Sequence, residues 1–220
     1  MREELLHRAV KNSLRARKSL KMSRGPVAWN NTNGFTIVEL AIVMVVIGLL
    51  IGVILKGQEL IANARYKAVI SQASDLTNAY YTYLNQYGKY PGDDITATSR
   101  WGTAVPPTAD GNNNGKIDGL EPRRANQHLA LAGIITGSYN GTTQDIPVAR
   151  YSGICTATFT AAPAALQTLC ANAINYTNLP AEAAQALDTA LDNGVDSTGK
   201  VQADAAYMPN TTIPNTWLCL

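Results

Sequence analysis

The sequence predicts an α+β protein: a long protruding N-terminal helix, half membrane-spanning and half amphipathic, packed on a small antiparallel β-sheet with short extra helices. Three observations predict it. Residues 35–55 form an apolar run with a single charge, Glu39. Over residues 58–87 the apolar side chains recur at intervals of three and four, the period of an amphipathic helix. Beyond residue 90 the chain turns to Gly, Pro, Asn, Thr and Ala with short apolar clusters, which suits turns and short strands. Four regions follow: a basic leader over 1–34, the membrane half of the helix over 35–56, its amphipathic half over 57–88, and an α+β head over 89–220.

The formal charge of +2 conceals an asymmetry. Residues 1–34 hold eight Lys/Arg against Glu3 and Glu4, leaving ten basic and fourteen acidic residues for the rest. A basic head, an apolar run and a mildly acidic body read as an export precursor whose head stays in the cytoplasm. Nucleic acid is not an expected partner of the acidic body. The leader is sparse in apolar residues and ends in a turn-like stretch, so it is set apart from the fold; Met22 is a second possible start beside Met1.

As a helix, Phe35 to Leu55 spans about 31 Å, the thickness of a bilayer's hydrocarbon core. A signal peptide's apolar region is followed by a small-residue cleavage site, whereas this run passes straight into Lys56-Gly57-Gln58-Glu59 and a helical pattern, so it is retained. The apolar stripe Ile61, Ala64, Ala68, Val69, Ala73, Leu76, Tyr80, Tyr83, Leu84 and Tyr87 continues the same helix until Gly88 and Pro91 stop it. In the head, Ile146 to Phe159 is β-like and Lys200 to Tyr207 more weakly so. Short helices are expected over Pro122–Ala132 and Pro180–Leu191, each with proline at its first turn and Gly133 or Gly194 after its last.

The constellation that decides the reading is Gly34-Phe35-Thr36-Ile37-Val38-Glu39-Leu40. A carboxylate this deep at the start of a membrane helix costs about 2.5–3.5 kcal/mol, so it needs a partner. Cleavage after Gly34 creates an amino group on Phe35, one helical turn from Glu39, and in a bundle of such helices one subunit's carboxylate can neutralise its neighbour's terminus. These residues resemble the leader site of type IV prepilins and type II secretion pseudopilins: a glycine, then phenylalanine, then glutamate as fifth residue of the mature chain. The resemblance implies that prepilin peptidase cuts between Gly34 and Phe35, that Phe35 is N-methylated, and that Glu39 guides docking of homologous subunits. It also implies a precursor in the inner membrane, single-pass, with its head in the periplasm or outside, and a periplasmic or extracellular filament after assembly. Gly48 and Gly52 fit a family whose membrane half loosens on assembly. A weaker likeness, in Tyr90-Pro91-Gly92-Asp93 and in the stretch from Gln127 to Ile135, points to a group of large prepilin-like proteins and names no function.

Residues 110–121 fit the twelve-residue calcium-loop template. Asp110, Asn112 and Asn114 offer side-chain oxygens, Gly115 the sharp turn, Lys116 its carbonyl, Asp118 a direct or water-mediated contact, and Glu121 a bidentate carboxylate. Oxygen-only donors favour Ca²⁺, and some pseudopilins also carry calcium loops in the head. Pro106 and Pro107 exclude a preceding helix, so the loop is an isolated one. Arg123 and Arg124 beside it are expected to point into solvent.

Cys155, Cys170 and Cys219 all follow the apolar run, on the exported side, where one disulfide and one remaining thiol are expected. Three pairings are open; that of Cys155 with Cys170 closes the shortest loop. The chain is not expected to be an enzyme. Beyond the leader His128 is the sole histidine, in an apolar patch that suits packing or capping, and Asp93 and Asp94 suit a solvated turn. No phosphate-cradling glycine loop or zinc spacing is present. The function expected is a structural filament subunit, with a low-abundance minor pilin acting as a membrane-tethered adhesion or binding module as the alternative. The head, about 130 residues by the region boundaries, leans mildly to a specialised subunit, because a large head crowds a tightly wound fibre.

Overall fold

The computed structural model describes residues 34–102, 108–141, 150–151 and 155–220. The leader before Gly34, Pro106 and Pro107, and most of the β-like stretch before Cys155 lie outside the described residues. The chain divides into two compact units, residues 1–52 and 53–220.

In the first unit, Gly34 to Thr36 are non-helical and lead into helix α1, Ile37–Tyr87, of 51 residues. All residues from Gly34 to Lys56 are exposed. Among the described residues α1 is the one helix long and apolar enough to cross a membrane.

In the second unit, α1 buries Val69, Gln72, Ala73, Leu76, Ala79, Tyr80 and Tyr83, which share one face of the helix. The predicted stripe reached further back, but Ile61 and Ala64 are exposed: the core begins at Val69. Gly88 ends the helix in the left-handed conformation (φ 66°), donating its N–H to the Leu84 carbonyl at 2.8 Å.

The buried face of α1 packs on a four-stranded antiparallel sheet ordered β1 (Thr156–Ala161), β2 (Asn172–Pro180), β4 (Thr212–Cys219), β3 (Val201–Ala203). In register, Phe159 faces Ile174, Ile174 faces Leu218, and Leu218 faces Val201, giving one apolar row across all four strands. Phe159 stacks 6.1 Å from Tyr80, which locks α1 to β1. Burying that phenyl ring contributes about 1.5–3 kcal/mol. The shorter helices are α2 (Ala97–Trp101), α3 (Glu121–Leu131) and α4 (Ala181–Leu191). The two predicted helices are α3 and α4, but Pro180 is the extended residue before α4 (φ −56°, ψ 141°) and closes β2.

Strands β2 and β4 were not expected from the sequence, and Pro214 explains much of that. A proline lacks the N–H that a strand interior uses. Here it falls where the ladder skips a pair between Thr177–Asn215 and Leu179–Ile213, opposite Asn178 at φ 55°.

The disulfide joins Cys170 to Cys219, tying the turn before β2 to the end of β4, over a small cluster of Ala162, Leu166 and Ala173 with Trp217 against it. Cys155, buried outside that bridge, donates its thiol to the Asn178 carbonyl at 3.0 Å. A crosslink over 49 residues removes denatured-state freedom worth about 2–4 kcal/mol. Replacing Cys170 and Cys219 together with serine is expected to lower the unfolding free energy by about that amount in urea titrations, whereas adding reductant to that variant changes nothing further.

Candidate functional site

The N-terminal site is built from a helix start. Thr36 and Glu39 form a reciprocal cap. The Thr36 N–H and hydroxyl donate to Glu39 Oε2 at 2.9 and 3.0 Å, and the Glu39 N–H donates to Thr36 Oγ1 at 3.2 Å. The threonine three residues before a glutamate is a sequence signal of this cap, which gives Glu39 a local role beside the docking expected of it. Ahead of the cap the Gly34–Phe35 peptide is outside any helix and Phe35 is 78% exposed, so that bond is open to a protease. Behind it, the apolar side chains from Ile37 to Leu55 have no cover among the described residues. A Cβ at Gly48 or Gly52 meets nothing within 4 Å, so neither glycine answers a packing need among the described residues. Each costs about 1 kcal/mol of helix stability relative to alanine.

The second site is the 110–121 loop, and the structure rearranges the predicted donors. Asp110 Oδ1 accepts the Thr98 N–H at 2.7 Å, while Arg124, expected in solvent, donates to the Asp110 carbonyl at 2.6 Å. Asn112 Oδ1 and Asn114 Oδ1 accept the N–H groups of Asn114 and Lys116, both at 2.8 Å. Asn114 Nδ2 donates to Asp118 Oδ2 at 3.1 Å. The Glu121 carboxylate spans the loop, accepting the N–H of Asn112 at 2.8 Å and of Asp118 at 3.1 Å.

Asp93 enters from outside the template. Its carboxylate accepts the N–H groups of Asn114 and Gly115 at 3.0 and 2.8 Å, holding the loop's turn. The solvated turn expected at Asp93 and Asp94 is therefore corrected: they are 2% and 0% exposed. Asp94 accepts the Tyr83 hydroxyl at 2.7 Å and pairs with Arg100. Gly111 passes so close to Asp93 that a Cβ there would lie 2.3 Å from its backbone, so only glycine fits.

Burial raises the proton affinity of the Glu121 carboxyl, and the nearby charges of Asp93 and Asp118 raise it further, against the two N–H groups that lower it. The donors are all oxygen, the kind that calcium selects. As the loop stands, the side-chain oxygens of Asp110, Asn112, Asn114 and Glu121 accept backbone N–H groups and Asp118 accepts the Asn114 amide, and among the described residues no three of His, Cys, Asp and Glu are gathered at metal-ligand spacing.

His128, on α3, is fully buried. Its Nδ1 accepts the Gly92 N–H at 3.0 Å, which places the proton on Nε2, 3.0 Å from the Ala109 carbonyl. The ring thereby joins the 88–96 turn to the start of the loop. Burial pushes its pKa down to about 4, with the Ala109 carbonyl opposing and Arg124 and Arg100 adding. A folded value below the ordinary 6.5 of imidazole means that this stability is present above pH 6.5 and lost as pH falls toward 4. The loss approaches about 3 kcal/mol. Urea unfolding in chelator at neutral and acidic pH is expected to show a fall of that size in the native chain and a smaller one in His128→Gln, whose amide keeps an acceptor and a donor without titrating.

Residues 29–55 match the family model described as the prokaryotic N-terminal methylation motif, a span that includes the Gly34–Phe35 junction, Thr36, Glu39 and the apolar run. No curated protein and no solved structure matches the chain.

Proposed function

We propose, from the premise that a chain with this motif and this apolar helix is a type IV pilin-like precursor, that the protein is a non-catalytic structural subunit of a type IV pilus-like filament or a type II secretion pseudopilus. The observation that carries the proposal is a coincidence at one place. An exposed peptide bond outside the helix, a capped helix start holding a carboxylate, and a long uncovered apolar face follow one another within the methylation motif. Prepilin peptidase removes the leader after Gly34, Phe35 is methylated, and the apolar half of α1 holds the subunit in the inner membrane until it enters a filament on the periplasmic or outer side. Glu39 then neutralises the amino terminus of a neighbouring homologous subunit.

Intact-mass and N-terminal peptide analysis of membrane-extracted protein, with and without prepilin peptidase, tests this directly. A chain starting at methylated Phe35 is expected only with the peptidase; cleavage elsewhere, or a leader that persists, overturns the proposal. Glu39→Ala is expected to leave cleavage intact and to cut filament yield in shear fractions by roughly tenfold or more, because an unpaired terminus is left buried. The size of the head favours a second reading, a low-abundance minor pilin that binds or adheres, and copy number along isolated filaments separates the two.

In the same reading the 110–121 loop takes Ca²⁺ through Asn112, Asn114, the Lys116 carbonyl, Asp118 and Glu121, with Asp110 or the inward-turned Asp93 completing the set. The repulsion of the Glu121 carboxylate by Asp93 and Asp118 favours a cation there. The ion supplies charge compensation for a folded loop, and no chemistry passes through it. For a weak extracellular site, about 5 mM Ca²⁺ is expected to stabilise the head by about 1–2 kcal/mol over chelator, and Glu121→Gln to abolish the gain. Equal melting temperatures with and without calcium would sink the calcium reading.

A further inference from the structure

Asn172 opens β2, is 1% exposed, and bonds to partners from two other parts of the second unit. Its Oδ1 accepts the Ile117 N–H at 2.7 Å. Its Nδ2 donates to Tyr80 Oη at 3.1 Å and to the Gly115 carbonyl at 3.2 Å. Two of the three partners lie in the 110–121 loop and flank Lys116, the residue whose carbonyl the calcium template uses. The third is on α1. Ile117 adds a fully buried side chain and accepts the Ala161 N–H at 2.6 Å, so the turn is seated on the end of β1 as well.

The orientation of the Lys116 peptide group follows from these bonds. With the Gly115 carbonyl and the Ile117 N–H both fixed on one carboxamide, the intervening Lys116 has little freedom to rotate. Asn172 is not itself suited to ligate a cation, since its oxygen is taken by Ile117 and its nitrogen presents donors.

We propose that Asn172 is the positioning residue of the 110–121 loop: it holds the Gly115–Ile117 turn, and with it the Lys116 carbonyl, in register with Tyr80 of α1. The role in calcium binding rests on the calcium reading above; the role in holding the turn does not. Through this side chain the loop and the helix are joined by two hydrogen bonds in series, Gly115 to Asn172 to Tyr80.

Asn172→Asp is the diagnostic change. A carboxylate keeps an acceptor for Ile117, and Tyr80 can turn its hydroxyl proton to it, but the Gly115 carbonyl loses its donor and faces a negative charge. Asn175→Asp is the control, because Asn175 lies on the same strand and bonds Asn215 at 3.1 Å. The full chain in detergent is compared by hydrogen exchange and by calorimetric titration with CaCl₂. In Asn172→Asp, exchange over 115–118 is expected to rise about tenfold or more while the peptides of β2 and β4 keep their protection, and calcium affinity to fall about tenfold or more, as for lost support of metal ligands generally. Asn175→Asp is expected to change neither. Loop exchange in Asn172→Asp equal to that of the native chain, or a rise equally large in Asn175→Asp, overturns the proposal. If the native chain takes no calcium the calcium reading falls, and the exchange comparison alone upholds or overturns the role of Asn172. Should the Asp variant not fold, Asn172→Ser is read by the same measurements.

Discussion

Two tyrosine hydroxyls on α1 set the layout of the head. Tyr80 and Tyr83 are buried against the core, and a buried hydroxyl without a partner costs about 1–3 kcal/mol, so each needs a polar group brought to it. Tyr80 meets Asn172 and Tyr83 meets Asp94. Burial holds both phenols well above their ordinary proton affinity, so both are protonated at neutral pH: Tyr83 donates its proton to Asp94, while Tyr80 accepts from the Asn172 amide. Each partner brings further structure with it. Asn172 carries the turn of the 110–121 loop. Asp94, a carboxylate with no exposure of its own, requires a cation and has Arg100, whose guanidinium lies 4.4 Å from the Tyr87 ring centre and 4.9 Å from that of Trp101.

The parts of the fold legible in the sequence are those where one local pattern suffices. The apolar run, the three-and-four spacing to Tyr83 and the stop at Gly88 gave the helix, because helical periodicity is written in neighbouring residues. Proline and glycine placement gave α3 and α4 to within about a residue. The sheet was harder. Strand β2 carries Asn172, Asn175 and Asn178, residues depleted in strands, and β4 carries Pro214. Their pairing rests on contacts some forty residues apart, such as Ile174 with Leu218, which no local window contains. The site followed the same division. The loop template marked oxygen-bearing residues within 110–121, but Asp93 and Asn172 come from distant segments and only folding brings them to that turn.

Within the second unit, α1 changes its environment along its own length. Ile61 is exposed and Val69 buried, although both belong to the apolar stripe, and from Tyr66, which stacks on Tyr151, the helix meets its own head. Ile61 and Ala64, like the apolar run of the first unit, form a surface for which the chain supplies no cover among its described residues. In water such a surface is costly at about 25 cal/mol per Å². In lipid, or against like helices, that cost is removed, so a bilayer and a bundle of subunits are both solutions to one physical problem. Under the proposed function, this is how one helix would serve as anchor before assembly and as fibre core after it.

The cap at the helix start sharpens that argument. Had Glu39 been an orphan charge, any amine near it would satisfy it. In the chain as folded its carboxylate already accepts two bonds from Thr36, and both end on Oε2. A capping interaction of this kind is worth about 1 kcal/mol, less than the several kcal/mol that separate a paired from an unpaired charge in an apolar surrounding. A neighbour's amino terminus therefore outweighs the cap if the two compete. They need not compete, because the second carboxylate oxygen accepts no bond among the described residues. Thr36 can keep Glu39 aimed along the start of the helix through one oxygen while the other receives the incoming terminus. Under the proposed function, the local rule that caps the helix would thus also orient the carboxylate for docking.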